Sequence, residues 1–257
     1  MNEIEKYYNK FNEDKRLDSR HGQVEFFVTM HYIDKCINNR KNLKILDIGA
    51  GTGKYSIALA QKNHSVFAVE LVKHNLSRLK QKCSLINARQ GNALNLSFYE
   101  DETFDITLLF GPMYHLFSFE DKVKALSEAK RVTKKGGLIL VAYLMNEYAI
   151  LSYAFKEGNL QKCLKEKKID ENFHCISTEK DLYDYVRLED INALNEKCKL
   201  TRKKIIAVDG ATDYMRPIIN KLSQEDFEIF KKYQLSLSQR RELIGASSHT
   251  LDILIKE

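Results

Sequence analysis

The residues best able to do chemistry stand in one run, Leu46-Asp47-Ile48-Gly49-Ala50-Gly51-Thr52-Gly53-Lys54-Tyr55. Glycines after an apolar strand let the backbone turn tightly and approach a ligand closely, and they open a helix whose first N–H groups are free. Two phosphate-binding patterns share this look, and both fail. A Walker A loop needs Ser or Thr after Gly-Lys, but Tyr55 follows Lys54, and Ile48 holds the position of its first glycine. The dinucleotide fingerprint needs a glycine where Lys54 stands. What remains is Asp-x-Gly-x-Gly-x-Gly, with Asp47 two residues ahead of the first glycine. A carboxylate there suits a ligand bearing an ammonium group and is badly placed for pyrophosphate. Glu70 closes the next apolar run, Val69-Glu70-Leu71, roughly 20 residues on, a spacing at which an acid accepts hydrogen bonds from ribose hydroxyls.

Such groups need elements to hold them. Apolar runs at 43–50, 65–71, 84–88, 104–110 and 138–144 predict five strands. Helices are expected over 54–61, 72–82 and 119–133, with Lys134-Lys135-Gly136-Gly137 as a turn. Alternating strands and helices predict a parallel, doubly wound sheet. Upstream, residues 2–15 and 22–38 carry apolar stripes at helical spacing, the second through Phe26, Met30, Ile33 and Ile37. Residues 145–200 read as a helical insertion with one extended piece at 181–187. A sixth strand is expected at 203–208, a long helix at 223–240 and a last strand at 250–255. The expected organisation is one domain over 1–257. Residues 1–40 form a helical cap, 43–144 the cofactor-binding core, 145–200 an acceptor pocket or lid, and 201–257 the completion of the sheet.

The run LDIGAGTGKYS, the acid at Glu70, Gln90-Gly91-Asn92-Ala93-Leu94, Phe104-Asp105, and residues 124–132 leading to Lys135-Gly136-Gly137 resemble class I S-adenosylmethionine-dependent methyltransferases. Gly111-Pro112-Met113-Tyr114-His115-Leu116 after strand four resembles bacterial members similar to ubiquinone and menaquinone-biosynthesis methyltransferases. The resemblance implies an α/β, Rossmann-like sheet of seven strands with the last antiparallel. It also implies S-adenosyl-L-methionine as cofactor, with Gly49 and Gly51 against its methionine part, Glu70 on the ribose, and Asn92 with Ala93 at the adenine. Asp47, Ala50, Tyr55, Leu71 and Phe110 complete the expected cofactor lining. Where the family commonly has Asp, this chain has Asn92, whose amide oxygen can accept the same hydrogen bond.

Methyl transfer from a sulfonium is a direct displacement, so a protein mainly aligns the acceptor and excludes water. A base matters only where the acceptor has a proton to lose. His115, following strand four at the sheet's carboxyl edge, is the first candidate for a base or orienting group. If the last strand is antiparallel, its beginning lies at the same edge, which brings His249 there too. Tyr114 is a third candidate, and Arg20 and Arg187 are candidate substrate contacts.

Composition narrows the rest. Hydrophobic residues at 44% and charged residues at 30% exclude a disordered or collagen-like chain. A net charge of +6 spread over short clusters with acidic neighbours is no stripe of the nucleic-acid kind, so a nucleic-acid partner is not expected. No apolar run is long enough to span a membrane. The polar N-terminus resembles no signal peptide, so a cytoplasmic monomer or homodimer is expected. The five cysteines are scattered without C-x-x-C spacing and no metal cluster is legible, so no metal is expected and metal-assisted catechol methylation is disfavoured. Pro112 is followed by Met113 and Pro217 by Ile218, which excludes the Pro-Pro-aromatic and Pro-Cys motifs of DNA-base methylation. The expected function is methylation of a small-molecule acceptor. RNA methylation and a non-catalytic S-adenosylmethionine-binding protein are the rivals.

Overall fold

The computed structural model describes Tyr7 and residues 18–257; the helix expected over 2–15 lies outside these residues apart from Tyr7. Helix α1 (Arg20–Ile37) starts earlier than the apolar stripe suggested because Ser19 caps it, its hydroxyl accepting the Gly22 N–H at 3.4 Å. There follow β1 (Lys44–Ile48), α2 (Lys54–Gln61), β2 (Ser65–Glu70), α3 (Lys73–Lys82), β3 (Asn87–Gln90), β4 (Phe104–Leu109), α4 (Phe119–Val132) and β5 (Thr133–Leu144). The expected turn at 134–137 is instead a bulge at the start of β5. Phe104 pairs with Thr133 and Ile106 with Leu138, so the extra residues loop out opposite Asp105, whose carboxylate takes the Lys134 ammonium at 2.7 Å.

The insertion is less regular than expected. It holds α5 (Asn146–Ala149) running into one wide turn (Ile150–Lys156), α6 (Leu160–Lys165) and α7 (Leu188–Cys198). Of the piece at 181–187, only Val186 pairs as a strand would, with Met145. The chain ends with β6 (Thr201–Ala207), α8 (Arg216–Ile219), α9 (Gln224–Leu237), α10 (Arg241–Ile244) and β7 (His249–Ile255).

The sheet has seven strands in the order β3-β2-β1-β4-β5-β7-β6. The first five pair in parallel, and β7 runs antiparallel between β5 and β6. Hence β6 points the same way as β5. The carboxyl ends of β1, β2, β4, β5 and β6 share one rim with the amino end of β7, where His249 faces Leu144. Alternation within the buried strands feeds two cores. Ile45, Ile106 and Leu108 pack beneath α1, α2 and α9 through Val28, Ile33, Leu59 and Phe227. Leu46, Ile48 and Leu109 pack against α4 and α7 through Leu126, Ala129, Ile191 and Leu194. Burial on both faces is why these strands are so evenly apolar. Among the described residues no helix is long and apolar enough to cross a membrane.

Candidate functional site

The rim surrounds a cavity of about 310 Å³, large enough for a small ligand. Its floor is the glycine loop. The N–H groups of Gly49 and Ala50 bond the Val69 carbonyl at 2.8 and 3.2 Å, which ties the turn to the end of β2. A Cβ on Gly49 would lie 2.6 Å from Pro112 Cδ, so the two rim loops touch where only glycine fits. Gly51 has φ +55°, and a Cβ there would meet no atom within 4 Å among the described residues. Its missing side chain leaves ligand space.

Glu70 secures this arrangement. One carboxylate oxygen accepts the Gly51 N–H at 2.7 Å and the other the Val72 N–H at 2.8 Å, with the side chain 5% exposed. Asp47 lies behind the loop and accepts the Ser56 hydroxyl at 2.6 Å. Burial pushes its carboxyl up to about 6, opposed by the Ser56 hydrogen bond and reinforced by the negative charge of Glu70. A cation placed there would stabilise the ionised form. Leu71, Asn92 and Ala93 continue the lining beyond Glu70. The Asn92 amide oxygen accepts the Leu94 N–H at 3.0 Å, which shapes that loop and leaves it a second lone pair. Tyr55 stands between Phe110 and Phe26, ring centroids 5.1 and 5.2 Å away, and so joins the cavity to α1.

The opposite wall is aromatic. Tyr114 lies 4.9 Å from His115, 5.9 Å from Tyr183 and 6.3 Å from His249, centroid to centroid. Tyr7 reaches the same cluster, edge-on to Tyr183 at 6.5 Å. His115 Nδ1 lies 2.8 Å from the Leu182 carbonyl; that oxygen can only accept, so the proton sits on Nδ1 and Nε2 is left as an acceptor. Burial pushes the His115 imidazole down to about 4, despite that hydrogen bond. The imidazole is therefore neutral at physiological pH and a weak base.

His249 is held differently. Its Nδ1 lies 2.5 Å from the Asp209 carboxylate, which also accepts the His249 backbone N–H at 2.9 Å. Asp209 follows β6 at the same rim and is 2% exposed. Burial raises its carboxyl above the ordinary range, against the pull of His249.

The structure does not bring the two arginines to the cavity. Arg20 stacks on Phe227, 5.2 Å from the ring centroid, and donates to the Ser223 carbonyl, fastening α1 to α9. Arg187 binds Glu147 at 2.7 Å and the carbonyls of Asn172 and Phe173, a clamp within the insertion. The insertion itself lines none of the cavity among the described residues; it stands one layer back, through Leu182 and Tyr183. In its place α1 contributes Glu25 and Thr29, one turn apart on the same helix face. Neither these nor Asp209 was singled out from the sequence. No metal cluster was legible in the sequence; in the structure a carboxylate oxygen of Glu25, one of Asp209 and a ring nitrogen of His249 all lie within 4.8 Å of one another.

Comparison with known proteins agrees with this geometry. Residues 45–137 match the family model of the methyltransferase domain. The demethylmenaquinone methyltransferase of Bacillus subtilis (strain 168) is 31% identical over 138 residues, covering 49% of this chain and 57% of that protein. The match thus spans little more than half the length of that relative. A SAM-dependent methyltransferase of Methanosarcina mazei superposes with a TM-score of 0.58 at 16% identity, over 88% of this chain and 96% of the other. The magnesium protoporphyrin IX methyltransferase of Synechocystis, solved with bound SAH, gives a TM-score of 0.55 at 11% identity, over 92% and 83%. Residues 45–137 are therefore similar to the methyltransferase domain, and the chain shares its fold with solved SAM-dependent methyltransferases.

Proposed function

We propose that this chain transfers the sulfonium methyl group of S-adenosylmethionine to a small-molecule acceptor. One observation carries the reading: the glycine loop and Glu70 line the same cavity whose far wall is Tyr114, His115 and His249. The loop side offers backbone N–H groups, two carboxylates and close approach, which suit an adenosyl ligand with an ammonium end. The far side offers rings and polar tips, which suit a flat acceptor. An electron pair of the acceptor forms the new bond to the methyl carbon while the carbon–sulfur bond breaks. Its electrons stay on sulfur as a neutral thioether, and any acceptor proton then leaves to solvent or a side chain. The protein's part is alignment and exclusion of water.

The B. subtilis relative is named for demethylmenaquinone, and a ring-bearing acceptor fits the aromatic wall proposed here. The proposed setting is the cytoplasm. The test is a metabolite extract incubated with a methyl-labelled donor, alongside calorimetry with S-adenosylhomocysteine. Binding on the order of micromolar, about −8 kcal/mol, is expected, with label appearing in a small molecule. Tighter binding of NADH would overturn the cofactor assignment. Nanomolar RNA binding with a steep salt dependence would overturn the small-molecule one.

A further inference from the structure

We propose that Glu25, Asp209 and His249 form a binding site for one divalent transition-metal cation at the acceptor end of the cavity. The three residues come from distant parts of the chain, α1, the end of β6 and the start of β7, and converge on one point of the rim. Donor atoms bound to one cation at about 2.1 Å can stand no more than about 4.2 Å apart. The three candidate atoms already lie within 4.8 Å of one another, so small side-chain rotations close the set.

A second observation points to a ligand. Asp209 Oδ1 is buried and finds no hydrogen-bond partner among the described residues, while Oδ2 takes both hydrogen bonds from His249. Half of a buried carboxylate is therefore unsatisfied, an arrangement that folding disfavours unless something completes it. A cation does so. Asp213 is not available for the purpose, because Arg216 holds it at 2.9 Å. The backbone is set in advance: Ser247 Oγ accepts the N–H groups of Asp209 and Gly210 at 3.1 and 3.0 Å. Glu25 projects from a capped helix of 18 residues. Ligands on rigid elements are what a metal site requires.

Two carboxylates and one imidazole suit the first-row divalent ions Mn²⁺ and Zn²⁺ better than Ca²⁺, and three protein ligands leave positions open for an exchangeable oxygen. Its role rests on the methyl-transfer reading. Beside Tyr114, a bound cation would hold a hydroxyl or carbonyl oxygen of the acceptor and ease loss of its proton. The acceptor class is then an oxygen-bearing ring compound able to chelate.

The experiment uses the full chain stripped with a chelator. Calorimetry and electron paramagnetic resonance follow Mn²⁺ binding, and Zn²⁺ is used as competitor. One Mn²⁺ per chain is expected, displaced by Zn²⁺. Asp209→Asn and Glu25→Gln should each weaken it by more than the about tenfold that even outer-shell losses cost. Glu25 is only half-buried, so its variant reports even where Asp209→Asn fails to fold. Absence of stoichiometric binding at millimolar Mn²⁺ or Zn²⁺, or equal binding in wild type and both folded variants, overturns the site. S-adenosylhomocysteine binding on the same preparation keeps the two readings apart. Cofactor binding without metal removes only the metal site, and metal binding without cofactor removes only the proposed role.

Discussion

The two glycines of the loop should fail in different ways when each is given a methyl group. In Gly49→Ala the new Cβ lies 2.6 Å from Pro112 Cδ and 3.2 Å from Gly111 Cα, at φ +78°. Left-handed backbone costs a non-glycine residue roughly 1–2 kcal/mol, and overpacking typically adds 1–3 more. The sum of about 2–5 kcal/mol corresponds to a melting temperature lower by roughly 4–20 °C for a chain of this size. In Gly51→Ala the methyl meets nothing, so only the backbone cost of roughly 1–2 kcal/mol applies, about 2–8 °C. That methyl, however, projects where the ligand is proposed to lie against the backbone. The same overpacking range now falls on the complex, which is about a 5- to 150-fold loss of affinity. Thermal unfolding and calorimetry with S-adenosylhomocysteine read both quantities on both variants. Wild-type affinity in Gly51→Ala would refute the assignment of this loop as the cofactor cradle. A larger loss of stability in Gly51→Ala than in Gly49→Ala would refute the packing argument.

Asp47 makes the affinity pH-dependent. Its carboxyl is held at about 6 by burial and the charge of Glu70, so a ligand ammonium must displace a proton below that pH. Binding should be full above about pH 7 and fall about tenfold per unit below 6, a slope absent in Asp47→Asn by calorimetry. His115→Ala should leave S-adenosylhomocysteine affinity unchanged and lower turnover on the order of 10²-fold through misalignment. Because burial keeps His115 neutral, its removal should shift no inflection in the rate profile above pH 5. Helix α1 lines the cavity through Glu25 and Thr29 and meets it through Phe26, so cofactor should slow hydrogen exchange across residues 20–33. Protection confined to residues 47–56 and 70 would show that α1 is no lid.

The strand, glycine loop and helix at 43–61 were legible because the signal is local. An apolar run, glycines where the backbone turns, and a helical stripe each leave a mark within a few residues. The place of Glu70 at the end of β2 was legible for the same reason, whereas its hydrogen bonds to the Gly51 and Val72 N–H groups were not. The bulge at 134–137 was not: Lys-Lys-Gly-Gly has turn composition, and only pairing with β4 makes it part of a strand. Arg20 and Arg187 failed because a charged residue near the rim in sequence says nothing about whether Phe227 or Glu147 will claim it. Asp209 could have been found. The argument that put the start of the last strand at the rim also puts the end of its neighbour there, and Asp209 is two residues beyond β6.

The two halves of the cavity differ in what builds them, and the difference explains why one half was readable. The proposed cofactor side is made chiefly by backbone, through N–H groups and close approach, with Glu70 bracing the turn and Asp47 held behind it by Ser56. Those demands fix residue types at fixed offsets, because glycine best tolerates the conformation and a carboxylate, with two oxygens, accepts two of the N–H groups at the rim with charge assistance. The proposed acceptor side is made by side chains from six separate segments: Tyr7, Glu25, Tyr114 with His115, Tyr183, Asp209 and His249. No spacing rule links them, since the sheet order and α1 bring them together only after folding. The physical consequence is a cavity whose proposed cofactor half is constrained by backbone geometry, while Glu25, Tyr114 and Tyr183 on the other half are only partly buried and carry no such backbone constraint. Substitutions at Glu25, Tyr114 or Tyr183 should therefore alter which acceptor is used while leaving cofactor affinity in place, and substitutions at Gly51 or Glu70 should lose the cofactor for every acceptor alike.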